Sequence, residues 1–260
     1  MSHPALIGKA AIVTGAGNGI GRAIATVFAS AGAAVLCADI NHAMAEDTTK
    51  VIARAGGRAL ALRCDVSLEA DTRAAAEAAQ AAFGRIDILV NAAATDDPNG
   101  TVVDIEPAVW TRVFAVNVMG AYLMSRAVLP AMIAAGGGNI IHIASQLGRV
   151  AAPARAAYCA SKGAIIQLAK AMAVDHAAQN IRVNSLSPGA VETQRLRSLI
   201  FSKAGKLGYL SVRVTQTDSC CPCNCTCIWL QGPELPEHKS MIWVVFICCM
   251  TSLIRGITGS

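Results

Sequence analysis

Residues 10–21 read Ala10-Ala11-Ile12-Val13-Thr14-Gly15-Ala16-Gly17-Asn18-Gly19-Ile20-Gly21. The first five residues predict a short apolar strand, and the glycines predict a tight turn that opens a helix near Gly19–Ser30. This order aims backbone N–H groups and the positive end of a helix at one place, which suits phosphate. The spacing departs from the strict G-x-G-x-x-G pattern, because Ile20 stands where that pattern has its last glycine. A strand-to-helix turn in a protein that binds nothing therefore stays open as an alternative.

The alternation of strand and helix continues from this segment to residue 187. Nearly all-apolar strands imply burial on both faces of a sheet, and helical crossovers imply parallel pairing. The sequence therefore predicts a single-domain α/β fold with a doubly wound, Rossmann-like parallel sheet and an atypical or incomplete C-terminal part. The further strands are predicted at Ala33–Ala38, Arg58–Cys64, Ile86–Asn91, Asn139–Ala144 and Ile181–Leu186, and the further helices at His42–Ala55, Leu68–Phe83, Glu106–Ala135 and Ala156–Gln179.

Polar and small residues follow several of these strands, where ligands bind in open α/β sheets. Asp39 ends the second strand, at about the distance from the glycines where an acid meets the ribose 2′-hydroxyl of a dinucleotide. A carboxylate there repels a 2′-phosphate and favours NAD over NADP, although Asp39 could instead cap the helix that follows. Asp65-Val66 and Asn91-Ala92-Ala93 occupy the same position after the third and fourth strands.

A second group of polar residues lies further along the chain. Tyr158 and Lys162 are four residues apart on a predicted helix, so they share a face, and an ammonium beside a phenol favours its ionised form. Ser145, just past the fifth strand, could donate a hydrogen bond to a substrate oxygen as charge develops there. A lone Y-x-x-x-K is weak evidence and could be an exposed pair, so the interpretation depends on its conjunction with Ser145 and the glycine loop.

From about Gly8 to Arg197 the chain resembles the short-chain dehydrogenase/reductase family. The resemblance is carried by the following segments: Thr14-Gly-x-x-x-Gly-Ile-Gly21, Asp65-Val66, Asn91-Ala-Ala, Asn117 within Val116-Asn117-Val118, Ser145, Tyr158-x-Ala-Ser-Lys162 and Asn184-x-x-x-Pro188-Gly189. It implies Tyr158 as acid/base, Lys162 as the residue that activates it and holds the nicotinamide ribose, and Ser145 as the group that polarises the carbonyl. Asn117 would interrupt its helix and anchor a water in the proton relay, although a plain polar helix residue is the alternative.

The resemblance also implies how a cofactor is held. The implied NAD contacts are Gly15, Asn18, Gly19, Ile20, Gly21, Asp39, Asp65, Val66, Asn91, Ala92, Ala93, Tyr158, Lys162, Pro188, Gly189, Val191 and Thr193. No metal is implied, and the family suggests a homo-tetramer or dimer. The substrate is implied only as a small molecule with a carbonyl or secondary alcohol, such as a 3-oxoacyl thioester, a sugar or a polyol.

Composition excludes several other classes of function. The net charge of +5 is spread along the chain without a basic run, which argues against nucleic-acid binding. The start Met1-Ser2-His3-Pro4 leaves little room for a signal peptide before the first strand. The only long apolar run, 241–254, is shorter than the roughly 20 residues of a bilayer span. We therefore expect a cytoplasmic protein without membrane partners.

The last quarter of the chain differs from the rest. Residues 1–198 contain 49 alanines and residues 199–260 only one, while seven of the ten cysteines lie after residue 219. We therefore divide the chain into a cofactor-binding and catalytic part, 1–197, and a Cys-rich tail, 198–260. The tail could be frame-shifted or fused sequence, a thiolate site for zinc or copper(I) around Cys220–Cys227, a substitute edge strand at Val244–Cys249, or, least consistently with its length and spacing, a membrane or secretory element.

Three functional hypotheses follow. The first is an NAD-dependent oxidoreductase that moves hydride between nicotinamide and a carbonyl or secondary alcohol. The alternative is a catalytically impaired dinucleotide-binding chain, because the region that usually completes the substrate wall and the oligomer interface is replaced. A thiolate metal-binding protein is a third possibility, which depends entirely on the tail.

Overall fold

The structure, a computed structural model, describes residues 5–189 and 191, together with the backbone of strands at 211–216, 226–231 and 241–242. The chain divides into two compact units, Met1–Ser187 and Pro188–Ser260, and each is described by itself. The boundary predicted after residue 197 stays a prediction.

The first unit is a six-stranded parallel sheet with helices between its strands. Its order is β3-β2-β1-β4-β5-β6, so the chain runs outward from β1 to one edge and then outward from β4 to the other. This is the doubly wound, Rossmann-like arrangement that the sequence predicts. The strands are β1 (Ala10–Thr14), β2 (Ala34–Asp39), β3 (Arg58–Arg63), β4 (Ile88–Asn91), β5 (Gly138–Ile143) and β6 (Ile181–Leu186); the helices are α1 (Gly19–Ser30), α2 (His42–Arg54), α3 (Glu69–Phe83), α4 (Pro107–Phe114), α5 (Gly120–Ala134) and α6 (Ala156–Asp175).

The core forms around the two central strands, β1 and β4, which are buried along their whole length. One apolar cluster joins Ile12 of β1 and Leu89 of β4 to Met124 and Val128 of α5 and to Met172 of α6. These side chains have no polar group to satisfy, so the sheet and helices can exclude water around them. The outer strand β3 alternates exposed and half-buried residues, as expected at an edge.

The predicted helix Glu106–Ala135 is continuous but not uniform. A π-helical segment, Ala115–Met119, separates α4 from α5. The stretch 107–134 is long and apolar enough to cross a membrane, and it is the only helix of that kind in the part of the chain that the structure describes. Since Met124, Val128 and Met132 are fully buried in the apolar cluster, its composition is also that of a core helix.

In the second unit three antiparallel strands are described: β7 (Ser211–Gln216), β8 (Thr226–Gln231) and β9 (Met241–Ile242). The predicted strand Val244–Cys249 and the start of the cysteine run, Cys220–Cys225, lie outside the described residues.

Candidate active site

The site is defined by the carboxyl ends of β1 and β4, between which the strand order reverses. Thr14, the last residue of β1, joins these two ends. Its Oγ1 accepts hydrogen bonds from the N–H groups of Ala92 and Ala93, both at 3.1 Å. In open α/β sheets the crevice at such a reversal is where ligands bind.

The glycine loop after β1 is packed too closely for side chains at several positions. Gly15 has φ +63°, and a Cβ there would lie 2.9 Å from Cα of Ala93. A Cβ on Gly21 would lie 2.1 Å from the carbonyl oxygen of Gly15. Asn18 is the N-cap of α1 and accepts from the N–H of Gly19 at 2.6 Å. The segment Gly15–Gly21, called the glycine cradle below, therefore leads directly into the N-terminus of α1. Ile20, the second residue of α1, is half-buried.

Asp39, at the end of β2, lies beside this loop. Its Oδ2 accepts from the N–H of Gly17 and its Oδ1 from the N–H of Asn41, each at 2.9 Å. Asn41, not Asp39, is the N-cap of α2 and accepts from the N–H of Met44. The alternative of Asp39 as the helix cap is therefore wrong, and its carboxylate lies at the glycine loop.

The other strand-end residues have different surroundings. Asp65 Oδ1 accepts from the N–H and the hydroxyl of Ser67, at 3.0 and 2.6 Å. Val66 is buried and packs against α5, since a Cβ on Gly120 would lie 2.6 Å from its Cγ2. Asn91 is buried, and its Nδ2 lies 3.4 Å from the carbonyl oxygen of Ala121 and 3.3 Å from the hydroxyl of Ser125, both on α5.

A buried polar group lies behind the site. The side-chain Nδ2 of Asn91 is 3.2 Å from Nδ1 of His142, a residue of β5 that is fully buried. Because Nδ2 is a donor, Nδ1 must accept, which places the proton of the neutral imidazole on Nε2. Burial, and after it the charge of Lys162, lowers the pKa of His142 from 6.5 to about 4. His142 is therefore neutral at physiological pH.

A cavity of about 10 Å³ opens beside this group, and its lining includes Asn91, His142, Asn117 and Lys162. That volume corresponds to a single water molecule, and the polar lining supplies partners for it. Nε2 of His142 and Oδ1 of Asn91 are both buried and have no protein hydrogen-bond partner.

Lys162 and Tyr158 lie on α6 with their side chains close together. Lys162 is buried, and its Nζ donates to the carbonyl oxygen of Ile143 at 2.8 Å and lies 5.7 Å from the Tyr158 ring centroid. Ser145, two residues past the end of β5, is buried, and its Oγ accepts from the N–H of Leu147 at 3.1 Å. That bond uses the oxygen and leaves the hydroxyl proton able to point elsewhere.

Sequence reasoning missed Gly148, which allows α6 to approach the loop after β5. A Cβ at this position would lie 2.6 Å from the backbone carbonyl of Lys162. The signal was present in the sequence as a glycine three residues after Ser145, but its reason is a contact that only the fold reveals.

Asn117 lies in the π-helical segment, so the helix does depart from α geometry at the predicted residue. Its amide is held by another loop: Oδ1 accepts from the N–H of Thr95 at 2.8 Å, and Nδ2 donates to the Thr95 carbonyl at 3.1 Å. Nδ2 also donates to the hydroxyl of Ser161 at 3.0 Å, on the face of α6 next to Lys162. Asn117 therefore connects the loop after β4 to the helix that carries Tyr158.

The predicted NAD contacts that remain come at the start of the second unit. Pro188, Gly189 and Val191 belong to that unit, whereas the site above is built from the first unit alone. Thr193 lies outside the described residues.

A doubly wound sheet with a glycine cradle at the strand reversal defines a nucleotide-binding α/β protein, and the Ser–Tyr–Lys group beside it is typical of oxidoreductases. Comparison with known proteins narrows this class: residues 9–202 match the family model described as short chain dehydrogenase. The chain belongs to the short-chain dehydrogenase family and is an oxidoreductase of that type.

Its relatives illustrate the breadth of the family. The chain is 42% identical over 200 residues to an uncharacterized oxidoreductase, YxbG, of Bacillus subtilis, covering 77% of this chain and 73% of that one. It is 44% identical over 188 residues to 2-(R)-hydroxypropyl-CoM dehydrogenase of Xanthobacter autotrophicus, covering 71% and 75%. Among solved structures, 3-ketoacyl-(acyl-carrier-protein) reductase of Brucella melitensis, complexed with NADH, superimposes with a TM-score of 0.70 at 40% identity, covering 74% of this chain and 80% of that one. A nicotinamide dinucleotide is therefore the cofactor class that the family supports.

Proposed function

We propose that this chain catalyses reversible hydride transfer between NAD(H) and a small carbonyl compound or secondary alcohol. The observation that carries the proposal is the buried Lys162, whose ammonium lies against Tyr158 and is fixed to the end of β5 near Ser145. Burial of a cation is costly, and activation of a neighbouring acid/base group is a function that accounts for the position of Lys162.

The residues around the glycine loop fit a dinucleotide. The loop Gly15–Gly21 and the N-terminus of α1 would hold the pyrophosphate, because the glycines let the loop pack closely against Ala92 and Ala93 and the helix N-terminus carries a partial positive charge. Asp39 would accept hydrogen bonds from the adenosine ribose and repel a 2′-phosphate, which supports NAD over NADP. When bound, the nicotinamide supplies or accepts the hydride.

The proton is moved by the chain's own residues. For alcohol oxidation, Tyr158 takes the hydroxyl proton as the hydride leaves, and the Lys162 ammonium stabilises the phenolate that does so. Ser145 donates its hydroxyl proton to the substrate oxygen and holds it beside Tyr158. The one-water cavity next to Lys162 and Asn117 would hold a water that relays this proton away from Tyr158.

The mechanism is tested with Tyr158→Phe, which removes the hydroxyl with little change in volume. We expect kcat to fall by at least about a hundredfold, the usual share of a general acid/base. NADH should still raise the melting temperature, because a ligand that binds only the folded state stabilises it. Tyr122→Phe is the control, since Tyr122 is an exposed residue of α5. Turnover that survives in Tyr158→Phe would refute the proposed mechanism.

Cofactor choice is tested separately with Asp39→Ala. We expect the preference for NADH over NADPH, measured as the ratio of kcat/KM values, to fall by about tenfold or more, because the repulsion of a 2′-phosphate is removed. Asp47→Ala is the matched control, since Asp47 is an exposed carboxylate of α2 that pairs with Lys50 at 3.1 Å. An unchanged ratio in Asp39→Ala would assign Asp39 to holding the Gly17 and Asn41 N–H groups alone.

The alternative of a catalytically impaired dinucleotide-binding chain is favoured by one observation, the abrupt loss of alanine after residue 198. It predicts NADH-dependent stabilisation without turnover on a panel of 3-oxoacyl thioesters, sugars, polyols and simple ketones. Turnover of any of these by the full chain would exclude it. The same panel would assign the substrate, which the residues described around Ser145 and Tyr158 do not specify.

A further inference from the structure

A largely buried cluster of charges, formed by Arg155, Asp96 and Asp97, contacts Tyr158. Arg155 precedes Tyr158 in the sequence, whereas Lys162 follows it. Arg155 and Asp97 are 8% and 5% exposed, and Asp96 is half-buried. Arg155 Nη2 pairs with Asp96, and Arg155 Nε lies 3.1 Å from Oδ1 of Asp97 without the alignment of a hydrogen bond. Burying such charges is expensive, and apolar replacements are often no less stable, so their location requires a reason.

The cluster contacts Tyr158 through both its backbone and its ring. Asp97 Oδ2 accepts from the Tyr158 N–H at 3.0 Å. This N–H is one of those at the start of α6, where Arg155 itself is the N-cap and makes no side-chain capping bond. Asp97, from the loop after β4, therefore supplies the capping acceptor that the local sequence lacks.

The ring of Tyr158 lies under the guanidinium of Arg155, whose Cζ is 4.8 Å from the ring centroid. With Lys162 Nζ at 5.7 Å, two cations lie within 6 Å of the same ring. A guanidinium over an aromatic face restricts the orientation of the ring and also acts on the charge of its hydroxyl. The same loop is joined to this region by a hydrogen bond from the Gly100 N–H to the Ala154 carbonyl, 3.2 Å long.

We propose that Arg155 and Asp97 are positioning residues for Tyr158, which fix the direction of its phenol and set its electrostatic surroundings. The inference rests on the proposed role of Tyr158 as acid/base. Asp97 holds the backbone from which the phenol projects, and Arg155 holds the ring. The charged groups with described contacts to Tyr158 or to its partners are Arg155, Lys162, Asp96 and Asp97.

The two residues carry opposite charges, so their variants must act in opposite directions. Arg155→Met keeps the length of the side chain but leaves the Asp96 and Asp97 carboxylates without the guanidinium, which disfavours the phenolate. Asp97→Asn keeps an oxygen that can accept the Tyr158 N–H but removes a negative charge, which favours the phenolate. We expect the midpoint of the kcat/KM pH profile to rise by about one pH unit in the first variant and to fall in the second.

Arg155→Lys separates charge from geometry. It keeps the positive charge but loses the planar guanidinium that lies over the ring, so the pH midpoint should return to within a few tenths of the wild-type value while kcat stays reduced. Arg126→Met is the matched control, because Arg126 makes an exposed ion pair with Glu69 at 2.7 Å, far along the chain from the site. It should change neither the midpoint nor kcat.

A second readout does not need turnover. The sequence has three tyrosines, Tyr122, Tyr158 and Tyr209, so ¹³Cζ-labelled tyrosine gives three NMR signals, and Tyr158→Phe assigns one. In cofactor-free protein, the pH midpoint at which that signal changes should rise in Arg155→Met and fall in Asp97→Asn. The proposal would be overturned if both variants shifted the Tyr158 titration in the same direction, or if neither shifted it. It would also be overturned if kcat were unchanged in Arg155→Lys and the pH midpoint were unchanged in Arg155→Met. Opposite NMR shifts in the two variants, together with no turnover by the wild-type protein, would instead place the failure in the proposed oxidoreductase function.

Discussion

The buried histidine of β5 makes the stability of the protein depend on pH in a predictable way. His142 is fully buried, and its pKa is lowered from 6.5 to about 4 in the folded state. As pH falls below 6.5, the unfolded chain takes up a proton on this residue that the folded chain does not, so unfolding becomes more favourable. The loss continues until about pH 4, where the folded state is protonated as well. At about 1.4 kcal/mol for each pKa unit, the contribution of His142 amounts to a loss of about 2 kcal/mol at pH 5 and about 3 kcal/mol near pH 4.

The assay is the free energy of unfolding from urea titrations at pH 7, 6, 5 and 4.5, for the wild type and for His142→Asn. The asparagine can still accept from the Asn91 amide but does not titrate. The free energy of unfolding should therefore fall by about 2 kcal/mol less in His142→Asn than in the wild type between pH 7 and pH 5. It should be less stable at pH 7, by roughly 1–3 kcal/mol, because it leaves part of the imidazole volume empty. His42→Asn is the control, since His42 is exposed. Parallel pH dependence in the wild type and in His142→Asn would refute the reasoning and would mean that the pKa of His142 is the same in the folded and unfolded states.

Two further predictions concern close contacts in the site. Gly148→Ala should lower both stability, by about 1–3 kcal/mol, and kcat, because its Cβ would displace the backbone of Lys162; Gly163→Ala, whose Cβ has ordinary contacts, is the matched control and should be neutral or stabilising. Equal melting temperatures of these two variants would contradict the contact. Thr14→Val should cost about 1–3 kcal/mol and weaken NADH binding, because two alanine N–H groups lose their acceptor. Thr26→Val removes only a bond within α1 and should leave the NADH-induced thermal shift intact; equal effects of the two threonine variants would count against a role of Thr14 in the crevice.

The sequence predicted the fold well because its local patterns agree with one another. All six strands of the first unit and their connecting helices lie within a few residues of their predicted positions, since apolar strands and glycine or polar breaks mark the ends of each element. The π-helical segment at Ala115–Met119 had no local signal of its own. It was expected only at Asn117 and only through the family resemblance.

The site was predictable where the chemistry depends on residue type and not where it depends on packing. Tyr158 and Lys162 are four residues apart on a helix, so their proximity follows from helix geometry. The contacts of Asp97 with Tyr158 and of Gly148 with Lys162 join loops from different strand ends. Arg155 is close to Tyr158 in sequence, but nothing in the sequence indicates that it is buried beneath two aspartates.

The loop after β4 makes three of the contacts described above within a few residues. Ala92 and Ala93 are bound by the end of β1, Thr95 is bound on both its N–H and its carbonyl by Asn117, and Asp97 binds the start of α6. The number of residues between these contacts therefore fixes the distances between the glycine loop, the π-helical segment and the Tyr158 phenol. A substitution on this segment alters one of these contacts, but a single insertion or deletion would put all three out of register together. In a protein of this kind, the length of this loop is therefore expected to vary only beyond residue 97, whereas residue types can vary along all of it.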